Sequence, residues 1–145
     1  MQNEMTREQI MEIIPQRDPI LLVDKVIAHQ PRESITTSFF VSPQLEIFEG
    51  HFPGDPVLPG VYTVECMAQT ASIMLLSQQR YAGKVPLFLG INNVRFSAKI
   101  MPGSTIEITA RIQSERPEKA IAACTCEVLL DGAVAATGEV TLAIR

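Results

Sequence analysis

Two side chains stand out as a pair that could move protons. His51 lies within Phe48-Glu49-Gly50-His51-Phe52-Pro53-Gly54-Asp55-Pro56-Val57-Leu58-Pro59-Gly60, a loop stiffened by three prolines. Fourteen positions later, Glu65 is the one charge in the apolar run from Val61 to Leu76. A carboxyl placed among Val61, Val64, Met67 and Ala68 is expected to hold its proton near neutrality, because burial disfavours the charged form. A histidine side chain, with an unperturbed pKa of about 6.5, is available as a neutral base under the same conditions. One group that gives a proton and one that takes it make an acid/base division of labour. The same residues admit a plainer reading, in which Glu65 is a helix acid bonded to a neighbouring strand and His51 closes a loop.

Positioning such a pair needs a scaffold, and the pattern of the chain describes one. Thr6-Arg7-Glu8-Gln9 has the form of a capping box that opens a short helix, and Pro15 stops it. Ile20 to Ala28 and Glu33 to Val41 read as strands joined by a turn around Pro31. From about Val61 to Arg80 there is neither Gly nor Pro and few polar residues, which predicts a mostly buried helix ending near Gly83. Glu65, Gln69 and Ser72 fall at i, i+4 and i+7 and draw a polar line along it. Gln69 reads equally as a satisfied core amide.

Four strand-like runs follow, Val85 to Phe96, Ser104 to Glu115, Lys119 to Leu130 and Ala133 to Ile144, the last two joined by the hairpin signal Asp131-Gly132. Ile106, Ile108, Ala110 and Ile112 alternate with Glu107, Thr109, Arg111 and Gln113, the rhythm of a sheet with one face buried and one wet. Val134, Ala136, Gly138, Val140, Leu142 and Ile144 repeat it. The expected fold is α+β, an antiparallel sheet of about six strands with one long apolar helix across it.

At 145 residues the chain fits a single domain, residues 1–145, too short for a cofactor domain beside a substrate domain. Its net charge of −4 and scattered basic residues argue against nucleic acid as a main partner. No run is long and apolar enough to span a membrane, since the best candidate is broken by Pro59, Gly60, Glu65 and Gln69. The polar stretch Met1 to Glu8 lacks the apolar core of a signal peptide, and a soluble, cytoplasmic protein is expected. Cys66, Cys124 and Cys126 have no metal-ligand spacing, so they are expected to be reduced core residues, with no metal bound.

Gly50-His51-Phe52-Pro53-Gly54, then Pro59-Gly60-Val61, then Glu65-Cys66-Met67-Ala68-Gln69 closely resemble the 3-hydroxyacyl-acyl-carrier-protein dehydratases of the FabZ type. The resemblance runs on through Leu21-Leu22-Val23-Asp24, Gly90-Ile91-Asn92-Asn93-Val94-Arg95-Phe96 and Pro102-Gly103. It implies a hotdog fold, no cofactor, and a homodimer in which the histidine of one subunit faces the glutamate of the other, often assembled further as a trimer of dimers. It also implies that His51 removes the α-proton beside a thioester and that Glu65 protonates the departing 3-hydroxyl, giving a trans-2-enoyl product.

By the same resemblance the backbone N–H of Gly60 or Val61 would hold the thioester oxygen, and Gln69 would orient Glu65 or a water. Phe52, Phe88, Ile91 and Phe96 are candidates for the lining of an acyl tunnel. Arg95 and Lys99, with Arg80, are candidates to meet an acidic acyl carrier protein. Glutamate at the acid position favours the FabZ branch over the related dehydratase-isomerases. Two departures stand out: Gln16-Arg17-Asp18 replaces the family's usual His-Arg, and Ser97-Ala98 precede a single Lys99 where basic residues usually cluster. A hotdog thioesterase, an idle acyl-binding subunit and a dehydratase of a polyketide or polyene pathway are the alternatives.

Overall fold

Alternation of apolar and polar residues builds a sheet that can bury only one face, and a helix apolar nearly all round is what covers it. The computed structural model describes residues 4–145. Six antiparallel strands, β1 (Lys25–Gln30), β2 (Ser34–Phe40), β3 (Pro86–Phe96), β4 (Thr105–Arg116), β5 (Ile121–Leu130) and β6 (Ala133–Ile144), lie in the order β1-β2-β4-β5-β6-β3. Three helices complete the chain: α1 (Arg7–Ile13), the single turn α2 (Ile47–Gly50) and α3 (Gly60–Leu76). This is the hotdog arrangement, with α3 packed across β2, β3, β4, β5 and β6.

All but the first turn and Glu65 of α3 is buried, with Cys66, Met67, Ala71, Ile73, Met74 and Leu75 fully enclosed. Each large side chain so enclosed contributes about 1.5–3 kcal/mol. Facing it are Ile106, Ile108 and Ala110 of β4 and Ala136, Val140 and Leu142 of β6, also fully or almost fully buried. Buried hydroxyls are matched: Thr37 Oγ1 lies 2.7 Å from Thr70 Oγ1, and Ser72 Oγ donates to the Ala68 carbonyl at 2.7 Å. All three cysteines are buried and free, with their thiols pushed up by burial, Cys124 to about 12. Among the described residues, no helix is long and apolar enough to cross a membrane.

The hairpin at Asp131-Gly132 forms as expected, both residues in the left-handed region at φ 52° and 79°. The capping box forms too, Thr6 Oγ1 accepting from Gln9 N at 3.2 Å while Gln9 Oε1 accepts from Thr6 N at 2.8 Å. Two boundaries and one burial differ from expectation. The first strand begins at Lys25 rather than Ile20, because a side chain, Gln69, rather than a neighbouring strand takes the Ile20 carbonyl and the Leu22 N–H. The long helix stops at Leu76 rather than Arg80: Ser77 Oγ bonds back to the Ile73 carbonyl, Gln78 is extended, and a separate 3₁₀ turn spans Gln79–Tyr81. Val134 is exposed rather than buried, beside a register shift in the β5–β6 pairing.

Candidate active site

His51 follows directly on α2, its N–H donating to the Ile47 carbonyl at 3.1 Å. The chain then turns back on itself. Phe52 and Asp55 exchange backbone bonds at 3.2 and 2.8 Å, and Gly54 supplies the positive φ of 77° that this turn requires. Val57 N donates to the His51 carbonyl at 3.0 Å, which brings the Val57 carbonyl within 2.9 Å of His51 Nδ1. A carbonyl can only accept, so Nδ1 carries the hydrogen, and in the neutral ring Nε2 is the nitrogen with the free lone pair. The Phe52 ring stacks on the imidazole at 4.0 Å between centroids.

That imidazole lines a groove of about 580 Å³ together with Leu58, Gly60, Thr63, Phe96 and Lys99. The groove sits at the start of α3, where Pro59 is the N-cap and offers no side-chain cap. The Gly60 and Val61 N–H groups have no hydrogen-bond partner among the described residues, as the first turn of a helix requires. Free amides and the positive end of the helix dipole suit an oxygen that gains negative charge. A Cβ on Gly60 would lie 2.8 Å from Phe96 Cζ, so the glycine lets the ring close over the helix terminus.

Glu65 is only partly buried, yet burial outweighs its hydrogen bond from Gln69 and its carboxyl is raised above the ordinary glutamate range. Gln69 is fully enclosed and every bond it makes is directional. Its Oε1 accepts from Leu22 N at 2.8 Å, while Nε2 donates to the Ile20 carbonyl at 2.7 Å and to Glu65 Oε2 at 2.8 Å. With Oε2 already an acceptor, a proton on the carboxyl belongs on Oε1. The acid is therefore held in one orientation by an amide that is itself pinned to backbone.

The groove that His51 lines and the Glu65 carboxyl lie on different faces of α3. At 100° per residue, Glu65 is about 160° round the helix from Thr63, which lines the His51 groove. Between them run Val61 and Val64, which with Gly60, Phe88, Ile91, Val94 and Phe96 line a second, apolar groove of about 600 Å³. Phe88, Ile91 and Phe96 thus come together, whereas Phe52 stays on the histidine.

Arg95 and Lys99 are separated as well. Lys99 lines the His51 groove, while Arg95 lies with Arg111, Glu127 and Glu139 in a polar depression on the sheet face away from α3. Arg80 is at the far end of α3. Val57, Ile20 and Leu22 act through backbone atoms, for which no residue type is a signal. Thr63, Val64 and Val94 could have been found from the helical and strand phase of neighbours already chosen.

The family model for the FabA-like domain matches residues 14–139. The 3-hydroxyacyl-[acyl-carrier-protein] dehydratase FabZ of Clostridium perfringens (strain SM101 / Type A) is 40% identical over 145 residues, covering 97% of this chain and 99% of that protein. The FabZ of Polynucleobacter necessarius subsp. necessarius (strain STIR1) is 38% identical over 137 residues, covering 94% and 91%. Among solved structures, the dehydratase heterocomplex ApeI:P from Xenorhabdus doucetiae superposes with a TM-score of 0.79 at 20% identity, over 94% of this chain and 90% of that one. Zebra fish thioesterase superfamily member 2 does so with a TM-score of 0.67 at 20% identity, over 94% and 96%. These two structures share the fold across different chemistries, so they speak to architecture alone. The sequence relatives match at much higher identity over nearly the whole of both chains, and on that ground the chain belongs to the FabZ-type family of 3-hydroxyacyl-[acyl-carrier-protein] dehydratases.

Proposed function

We propose that the protein dehydrates (3R)-hydroxyacyl-acyl-carrier-protein to the trans-2-enoyl thioester in fatty acid synthesis, with His51 as base and Glu65 as acid. His51 Nε2 takes the proton from the carbon next to the thioester carbonyl. The Gly60 and Val61 amides hold the carbonyl oxygen as charge builds there. The electron pair released forms the new double bond, the carbon–oxygen bond at C3 breaks, and the Glu65 proton goes to the departing oxygen so that water leaves rather than hydroxide. Gln69 fixes which carboxyl oxygen presents the proton. Lys99 at the His51 groove is the best placed of the three basic candidates to meet an acidic carrier.

The observation that carries this reading is the His51 Nδ1 bond to the Val57 carbonyl, which leaves a basic nitrogen in a groove beside unpaired helix amides. The opposed phase of Glu65 supports a homodimer in which one subunit supplies the histidine and the other the glutamate. An unprotected edge favours it too: β3 ends the sheet with Leu87, Leu89 and Ile91 each half exposed or more, a template for pairing with another strand. Such dimers would assemble further as trimers, as the family resemblance implies. No cofactor enters the reaction.

Mass-spectrometric detection of water loss from 3-hydroxybutyryl-carrier protein, with free thiol followed in parallel, tests the reading on wild type, His51→Ala and Glu65→Gln. Water loss by wild type alone is expected. Thiol release without an enoyl product would point to a thioesterase, and activity surviving in either variant would remove that residue from its role.

A further inference from the structure

An open groove of about 790 Å³ lies at the opposite end of α3, about 18 Å along the helix axis from Glu65. Arg32 and Arg80 line it, with Pro31, Met74, Gln79 and the buried imidazole of His29. The reaction proposed above uses none of these residues. Size and lining fit a small molecule with a charged head and an apolar body, since pockets of about 300–1,000 Å³ hold ligands of that kind.

The two guanidinium groups come from separate segments and are under-used. Arg32 is exposed and makes no ion pair among the described residues. Arg80 lies over the Tyr81 ring at 5.5 Å, places Nη2 3.7 Å from Glu115, longer than a charge-assisted hydrogen bond, and donates through Nε to Gln78 Oε1 at 3.0 Å, which leaves Nη1 for a ligand. Backbone geometry adds to this. Glu33 N bonds the Gln30 carbonyl at 3.0 Å, closing a turn with Pro31 second and Arg32 third. Arg32 has a φ of 64° there, the position of such a turn that favours glycine. A long cationic side chain thus stands where the backbone alone would favour none, and it lines the groove.

We propose that this groove is a binding site for a phosphomonoester, whose dianionic head bridges Arg32 and Arg80 while its apolar body lies over the exposed ring of Pro31. Paired forks of donors match phosphate oxygens in geometry and in charge.

Calorimetric titration of the wild-type protein with phenyl phosphate, inorganic phosphate and benzoate tests this. Saturable binding of phenyl phosphate is expected, weakening as salt rises, with inorganic phosphate weaker and benzoate weaker still. Arg32→Gly and Arg80→Met should each cut the affinity by about tenfold or more. Arg32→Gly should leave Tm unchanged or higher, because the turn accepts glycine, and its dehydratase turnover should be unaltered. Arg32→Asn, which also tolerates this backbone without the charge, must lose binding in the same way. Absence of saturable binding to wild type, unchanged binding in either arginine variant, or benzoate bound as tightly as phenyl phosphate would overturn the proposal. Turnover without phenyl phosphate binding would sink this site and leave the dehydratase reading intact.

Discussion

Glu65 is poised by two opposed effects, burial raising its pKa and the Gln69 amide lowering it. In the role proposed for it, Glu65 must be protonated to act, so kcat should fall as pH rises through that raised value. Gln69→Leu removes the bond that favours the charged form, so the falling limb of the kcat profile should move to higher pH; a limb that stays put would show that another group sets it. The same shift governs stability. A carboxyl raised by folding favours the folded state below its unfolded pKa, and this contribution is lost as pH rises through the folded value. Glu65→Gln abolishes the titration. Its stability relative to wild type should therefore improve as pH rises above the ordinary glutamate pKa of about 4, measured as urea midpoints, while kcat drops by about 10²–10⁴-fold. A midpoint difference that is flat with pH would contradict the raised pKa. Glu65 and Gln69 stand out in the sequence because each is a polar type in apolar surroundings, and His51 because it lies in a proline-stiffened loop just before them. The Val57 carbonyl and the backbone of Ile20 and Leu22 were not, because every residue carries the same backbone groups.

Strands β3 to β6 were read within two residues of their observed ends, since a one-sided sheet writes its burial directly into alternation. Ile20 to Asp24 looked like strand for the same apolar reason. Their backbone groups instead go partly to Gln69, and a bond to a side chain 47 residues or more away leaves no periodicity to find. Small buried helix residues, Ala68 and Ala71, let α3 approach the sheet closely, and the sheet contributes a small residue of its own. A Cβ on Gly138 of β6 would sit 3.0 Å from Val94 Cγ2 and 3.3 Å from Met67 Sδ. Gly138→Val should accordingly destabilise the fold by about 1–3 kcal/mol, read from denaturant midpoints at unchanged m. A loss below about 0.5 kcal/mol, the scale of a neutral surface change, would mean that α3 is not seated as tightly as this spacing requires.

At the scale of the molecule, the question is how many chains make one site. The proposed base and acid lie near each other along the chain, but helical phase separates them, Thr63 facing the His51 groove and Glu65 turned about 160° away. A partner docked on the β3 edge would supply the missing group to each groove, giving two identical sites per dimer. Co-expression of His51→Ala with Glu65→Gln tests this without disturbing the interface. Random pairing makes about half of the dimers mixed, and in each mixed dimer one site receives the intact His51 of one chain and the intact Glu65 of the other. The second site of that dimer carries both substitutions. Turnover should therefore return to about a quarter of the wild-type value, although each variant alone is inactive. Mixing that restores nothing, with mixed dimers verified by native mass spectrometry, would place both groups of a working site on one chain. Leu89→Lys on the exposed edge should have the converse effect, since a charge at that strand resists pairing: a monomer by analytical ultracentrifugation, folded but without dehydratase turnover, because each half-site would keep its base and lack its acid.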